Sequence, residues 1–225
     1  MINQIQYNFD EVIDRRNTNA EKYDALKRFY GTDDIEPFWV ADMDLASPNF
    51  LVDKLIDRVK HSIFGYTEKS LELFESIEWW MKNEHNLDIN KSTIGLSPSV
   101  VSTLCMTIQS FSNIGDSIVT FSPVYGPFFS SVKSHKMNLV DLPLIINNGK
   151  FQIPFEHLES ILKKNDVKLL LLCNPHNPGG RVWSKDELLK IVRLCIDNNV
   201  IIFSDEIHSD IVYKPNVHTP ILALN

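Results

Sequence analysis

Residues 167–210, VKLLLLCNPHNPGGRVWSKDELLKIVRLCIDNNVIIFSDEIHSD, read as one βαβ unit. From Lys168 to Cys173 the run is apolar after its lysine, short, and closed by Asn-Pro, which fits a strand buried on both faces. NPHNPGG (174–180) is dense in turn formers, so the chain leaves the sheet there. Ser184 with Glu187 three residues on predicts a capping box, in which each residue satisfies a free N–H group at a helix start. The helix is expected to reach about Asn198, with Leu188, Leu189, Ile191, Val192, Leu194 and Cys195 on its apolar side. Val200 to Phe203 opens a second buried strand, ending at Asp205-Glu206. Open α/β sheets bind ligands beyond the carboxyl ends of parallel strands, so Asn177 and Asp205 are expected to face one crevice. A carboxylate hemmed in by apolar strand needs a cationic or proton-donating partner to offset its desolvation.

Working outward, the same alternation continues. Thr93–Ser97 reads as a short strand, and PSVVSTLCMTIQSF as an apolar helix starting at Pro98 or Ser99. The turn before it aims free N–H groups outward, where a helix dipole favours an anion; most such turns are plain capped starts. Strands follow at Ser117–Phe121 and Leu139–Leu144, then a turn at Asn147-Asn148-Gly149 and a helix over Pro154–Lys164. This β-α succession predicts an α/β fold, a mostly parallel sheet with helices on both faces.

Upstream, residues 1–37 are polar and irregular, with room for one short helix. FWVADMD (38–44) reads alone as a buried edge segment with acids leading into the next helix. Ser47-Pro48 predicts a cap and an N1 proline opening a helix to about Ser62. FGYT (64–67) precedes a helix over roughly Glu68–His85, with Leu71, Phe74, Ile77 and Met81 on one stripe. Trp79 and Trp80 cannot both face that stripe, so one is free for a partner. Two domains are expected: an arm and part of a small domain over 1–45, and a large domain over 46–225.

A formal net charge of −7 argues against nucleic acid or an anionic membrane as the main partner. The apolar runs are too short to span a bilayer, and MINQIQYNFDE does not read as a secretory signal. Cys105, Cys173 and Cys195 sit in apolar segments without metal spacing, as reduced core residues of a cytosolic protein do. His61, His85, His135, His157, His176 and His218 also lack ligand spacing and read as surface or loop histidines. Asp205, Glu206, His208 and Asp210 could be taken for metal ligands, but alternate strand residues face opposite sides and cannot all converge.

NPHNPGG followed by SDEIH resembles the paired signatures of fold-type I pyridoxal-phosphate enzymes. With FWVADMD and FGYT, the chain from Phe38 onward resembles the MalY/PatB-type cystathionine β-lyases, a C–S lyase branch of the class I/II aminotransferase family. The resemblance implies pyridoxal 5′-phosphate as cofactor, an amino-acid substrate, a homodimer and a cytoplasmic location. It also implies roles. Asp205 keeps the pyridine nitrogen protonated, Asn177 and His208 donate to the phenolic oxygen, and the amides of Ser99 and Val100 cup the phosphate. Tyr125 stacks on the ring, Tyr66 reaches the phosphate of the other subunit, and Val40 and Ala41 lie at the substrate mouth. Read bare, Tyr66 and Tyr125 are equally loop aromatics capping a core.

Two departures stand out. The family's cofactor-binding lysine follows the DEIH strand, and no matching motif occurs up to Asn225; Lys214, in VYKPN, has unlike flanks. The resemblance therefore covers an N-terminal portion, whose sheet would lack two central strands and whose isolated form is expected to fold poorly. GGR at 179–181 stands where relatives often read TG, and glycine suits the turn backbone as well as threonine does. Three functions fit: a C–S β-lyase or its front part, an aminotransferase, or a non-catalytic binding protein.

Overall fold

The computed structural model describes residues 7–164 and 166–224. The chain divides into two compact units, Met1–Glu68 and Lys69–Asn225. In the first, two short helices replace the single one expected: α1 (Glu21–Asp24) and α2 (Leu26–Tyr30), the latter ended by Gly31 at φ +77°. Only glycine takes that left-handed backbone without a Cβ penalty. Helix α3 spans Asn49–Lys60. Pro48 is its flanking residue rather than its first helical one, because ψ 137° leaves it extended, and no side chain caps the start. FWVADMD is not a buried edge: Phe38 is 94 % exposed, while Asp42 and Asp44 pair with Arg15 and Lys22. Trp39 is held by its Nε1–H, which donates to the Lys22 carbonyl at 3.0 Å.

The second unit opens with α4 (Leu71–His85), capped by Ser70, whose hydroxyl accepts from the Leu73 N–H. Both Trp79 and Trp80 remain exposed, and the Trp80 indole N–H donates to Asp210 at 2.9 Å. Thr93–Ser97 does not form a strand. Lys91–Thr93 is a 3-10 turn, and the extended backbone from Ile94 has no ladder partner among the described residues. Extended conformation alone makes no strand; a strand requires a neighbour to receive its hydrogen bonds.

From there the expected alternation holds. Helix α5 (Val100–Phe111) leads to β1 (Ser117–Ser122), α6 (Gly126–Ser134) and β2 (Asn138–Pro143). The Asn147-Asn148-Gly149 turn sits in a small hairpin of β3 (Ile145–Asn147) and β4 (Lys150–Gln152), with Asn148 and Gly149 both at positive φ. That pair of left-handed residues is what a tight hairpin turn requires. Next come α7 (Phe155–Leu162), β5 (Val167–Cys173), α8 (Lys185–Asp197) and β6 (Ile201–Asp205). The capping box of Ser184 and Glu187 is formed.

The main sheet has the order β2-β1-β5-β6, and every pairing in it is parallel. Alternation along β5 sorts its side chains between two cores. Leu169, Leu171 and Cys173 join Leu104 and Ile108 of α5 and Phe128 of α6. Leu170 and Leu172 turn the other way, toward Leu158 of α7 and Leu188 and Ile191 of α8. Each fully buried leucine contributes roughly 1.5–3 kcal/mol, which explains the unbroken Leu169–Leu172 run in β5. Two histidines belong to this interior. His176 and His218 are 3 % and 7 % exposed, not surface residues. An imidazole can be buried when it packs against other rings, as His176 does against Trp183, tilted, and His218 against His85, edge to face.

Candidate functional site

Strands β5 and β6 end together, with Cys173 opposite Asp205 in the ladder. Asp205 shares alternation parity with Phe203, so it turns toward the α5–α6 side of the sheet. It is 5 % exposed and accepts one hydrogen bond, from the Ile207 N–H at 3.1 Å. Burial pushes its pKa up, the Ile207 bond and nearby His208 oppose the rise, and Glu206 adds to it. A carboxylate so placed has one donor for two oxygens and no ion-pair partner among the described residues. Burial likewise pushes the neighbouring Cys173 thiol up to about 11, so it stays neutral.

Asn177 leaves the end of β5. Its backbone N–H donates to the Cys173 sulfur at 3.3 Å, and its half-buried side-chain amide makes no hydrogen bond among the described residues. The loop around it is fixed from several sides. The His176 N–H donates to the Arg181 carbonyl at 2.7 Å, and the Gly180 N–H to the His176 carbonyl at 2.8 Å. Buried Asn174 accepts from the Trp183 N–H at 3.1 Å, and the Trp183 indole N–H donates to the Cys173 carbonyl at 2.9 Å. Sequence reasoning missed Asn174 and Trp183 as fasteners of this loop. The signal was an Asn-Pro pair at the end of the apolar Leu169–Cys173 run with a tryptophan nine residues later.

The remaining residues expected at the cofactor are placed as follows. Ser99 is the N-cap of α5; its hydroxyl accepts from the Ser102 N–H at 3.1 Å. The N–H groups of Ser99 and Val100 make no hydrogen bond among the described residues and lie at the positive end of the helix dipole. Tyr125 flanks α6 just beyond β1 and is 43 % exposed. His208 is half-buried, three residues past Asp205. Glu206 and Asp210 are engaged elsewhere: Glu206 with Ser204, His218 and the Ile221 N–H, Asp210 with Trp80 and His85. In the first unit, Tyr66 is fully exposed, Ala41 exposed and Val40 half-buried.

The donor set suits pyridoxal phosphate. Free helix-start amides match a phosphate, a buried carboxylate lacking a cation matches a protonated pyridine nitrogen, and a free amide donor matches a phenolic oxygen.

Comparison with known proteins agrees. Residues 42–224 match the family model for aminotransferase class I and II. Cystathionine β-lyase PatB of Bacillus subtilis (strain 168) is 40 % identical over 97 % of this chain and 56 % of its own length. Protein MalY of Escherichia coli (strain K12) is 32 % identical over 95 % and 55 %. The chain thus spans about half the length of these relatives. Among solved structures, cystalysin from Treponema denticola, which contains a pyridoxal 5′-phosphate cofactor, superposes with a TM-score of 0.93 at 32 % identity, covering 98 % of this chain and 57 % of that one. The pyridoxal-phosphate-bound C–S lyase from Staphylococcus hominis gives 0.91 at 32 %, covering 98 % and 56 %. The fold is part of the large domain of fold-type I pyridoxal-phosphate enzymes. The chain belongs to the class I and II aminotransferase family.

Proposed function

We propose that the protein carrying this chain, at the length of its relatives, is a pyridoxal-phosphate-dependent carbon–sulfur β-lyase. Its substrate would be a cystathionine- or cysteine-S-conjugate-type amino acid, and its products a thiol, pyruvate and ammonia. The observation that carries the reading is buried Asp205, a strand-end carboxylate with a raised pKa and no ion-pair partner among the described residues. Bound pyridoxal phosphate supplies an electron sink for the charge that develops at the substrate Cα. Asp205 holds a proton on the pyridine nitrogen, and the ion pair so formed offsets the desolvation of both groups. The Asn177 amide and the His208 imidazole donate toward the phenolic oxygen and orient the ring. The Ser99 and Val100 amides bind the phosphate, and Tyr125 covers one face of the ring. Tyr66 reaches the phosphate held by the partner subunit of a homodimer, and Val40 and Ala41 border the substrate.

The preference for a lyase rests on the C–S lyases among the similar proteins. An aminotransferase would instead consume a 2-oxo acid. The test is Asp205→Ala in the full-length protein, followed by pyruvate release from cystathionine. Turnover should fall on the order of a hundredfold or more with the fold retained. Near-normal pyruvate release would remove the assignment.

A further inference from the structure

The ring of His176 joins the two turns that carry Tyr125 and Asn177. Its Nε2 lies 2.9 Å from the carbonyl oxygen of Pro123, in the turn between β1 and α6 and two residues before Tyr125. A carbonyl can only accept, so Nε2 carries the proton. Burial holds the imidazole below its ordinary pKa, which keeps the ring neutral. Its Nδ1 then keeps a bare lone pair, with no partner among the described residues.

The ring itself has little freedom. Trp183 packs against it with centroids 5.4 Å apart, and Phe151 lies edge-on at 6.4 Å. Behind it is Gly179, where an added Cβ would come within 2.5 Å of the ring Cδ2 and 2.9 Å of Phe151. The glycine is therefore there for close approach to the histidine, since its φ is not in the left-handed region. The expectation that glycine suits the turn as well as threonine weighed the backbone alone, whereas the histidine ring sets the constraint here. A ring so enclosed, with one donor pointing at a neighbouring turn, does more than fill space.

We propose that His176 is a positioning residue for the cofactor pocket: its Nε2–H holds the Pro123 carbonyl and so fixes Tyr125 relative to Asn177. The inference rests on the pyridoxal-phosphate reading above. The ring touches neither substrate nor cofactor; it acts through the two turns.

The experiment compares His176→Phe and His176→Gln in the full-length protein, by titrating each apo-protein with pyridoxal phosphate. Phenylalanine keeps the ring shape and removes the donor; glutamine returns an N–H near the Nε2 position. Loss of one hydrogen bond should weaken cofactor binding about five- to tenfold in the phenylalanine variant, and glutamine should restore it to within about twofold. Phenylalanine binding as tightly as wild type would mean the ring only fills space, and the proposal would fall. The proton's place is read independently of any variant by nitrogen NMR of the wild-type apo-protein. A proton on Nε2 supports the proposal, and a proton on Nδ1 overturns it even if His176→Phe does not fold. Wild-type protein that takes up no pyridoxal phosphate would instead refute the cofactor reading, while the NMR result would still decide whether His176 bridges the turns.

Discussion

Asp44 and Asp205 are carboxylates in different units of the molecule, and their acidities move in opposite directions. Asp44 accepts from the guanidinium of Arg15 at 2.7 Å and from the ammonium of Lys22. Those bonds, Lys22 first, bring its pKa down to about 2. Asp205 has one backbone N–H for company, and burial drives its pKa up. Among the described residues, Asp44 is thus ion-paired with two cations and Asp205 with none. A structural carboxylate arrives with its counter-charge; a ligand-binding one leaves its counter-charge to the ligand. The sheet makes the second case possible. Its two apolar cores hold the end of β6 in place without help from ion pairs, so Asp205 can be left unpaired.

The sharpest way to break the comparison is Asp205→Asn, which keeps the side-chain oxygen facing the Ile207 N–H and removes the charge. A carboxyl group whose folded pKa is raised favours the fold at low pH, and that contribution is lost as pH rises through the folded value. At pH 7 the ionised group is therefore a cost to the apo-protein. In the full-length protein, Asp205→Asn should raise the apo Tm at pH 7 while lowering the proposed lyase turnover about a hundredfold or more. The Tm advantage should shrink as pH falls toward 4. A lower apo Tm at pH 7 would show that Asp205 is already paired.

A second test weighs the apolar support under the site against the surface of the first unit. Leu171 in β5 is fully buried, whereas Leu55 in α3 is 59 % exposed and α3 buries no residue. Leu171→Ala should cost about 2–5 kcal/mol, and Leu55→Ala should stay within about 0.5 kcal/mol, both from urea midpoints. A Leu55→Ala cost above about 1 kcal/mol would mean that a partner covers this face of α3 in solution.

What could be read from the sequence follows the same division. The βαβ unit of β5, α8 and β6 was legible because its signals are local: an unbroken apolar run, a capping box, a second run ended by acids. Asp205 stood out because an acid after such a run has no local excuse. Segment 93–97 misled because pairing is not local; an apolar stretch does not announce whether a neighbour will receive its hydrogen bonds. The β3–β4 hairpin was visible only as its Asn-Asn-Gly turn, since three-residue strands carry too short a pattern. His176 and His218 do lie in loops, but their burial was not legible because a single histidine has no period to count and its burial depends on rings elsewhere in the chain. At Gly179 the turn backbone was considered, but the histidine ring three residues earlier decides what fits.

Asp44→Asn probes the other half of the comparison and should have the smallest effect at neutral pH. The variant keeps one side-chain oxygen to accept from Arg15 or Lys22, replaces the other with an NH2 donor and removes the charge, while Asp42 still pairs with Arg15. The Asp44 side chain is 40 % exposed although Lys22 is buried, so water and salt screen the pair and the loss is modest. Its pH dependence is nonetheless distinctive. A carboxylate whose pKa is lowered by folding contributes stability above its unfolded value, near 3.8, and loses it as pH falls toward the folded value of about 2. Wild type should therefore protect residues 15–44 better than Asp44→Asn at pH 5, by hydrogen exchange compared at matched pH. The difference should narrow as pH drops from about 4 to 2, because the wild-type acid is then increasingly protonated. Adding salt at pH 5 should narrow it too. A gap that stays constant from pH 5 to pH 2 would mean that shape, not charge, holds this loop, and the contrast with Asp205 would lose its basis.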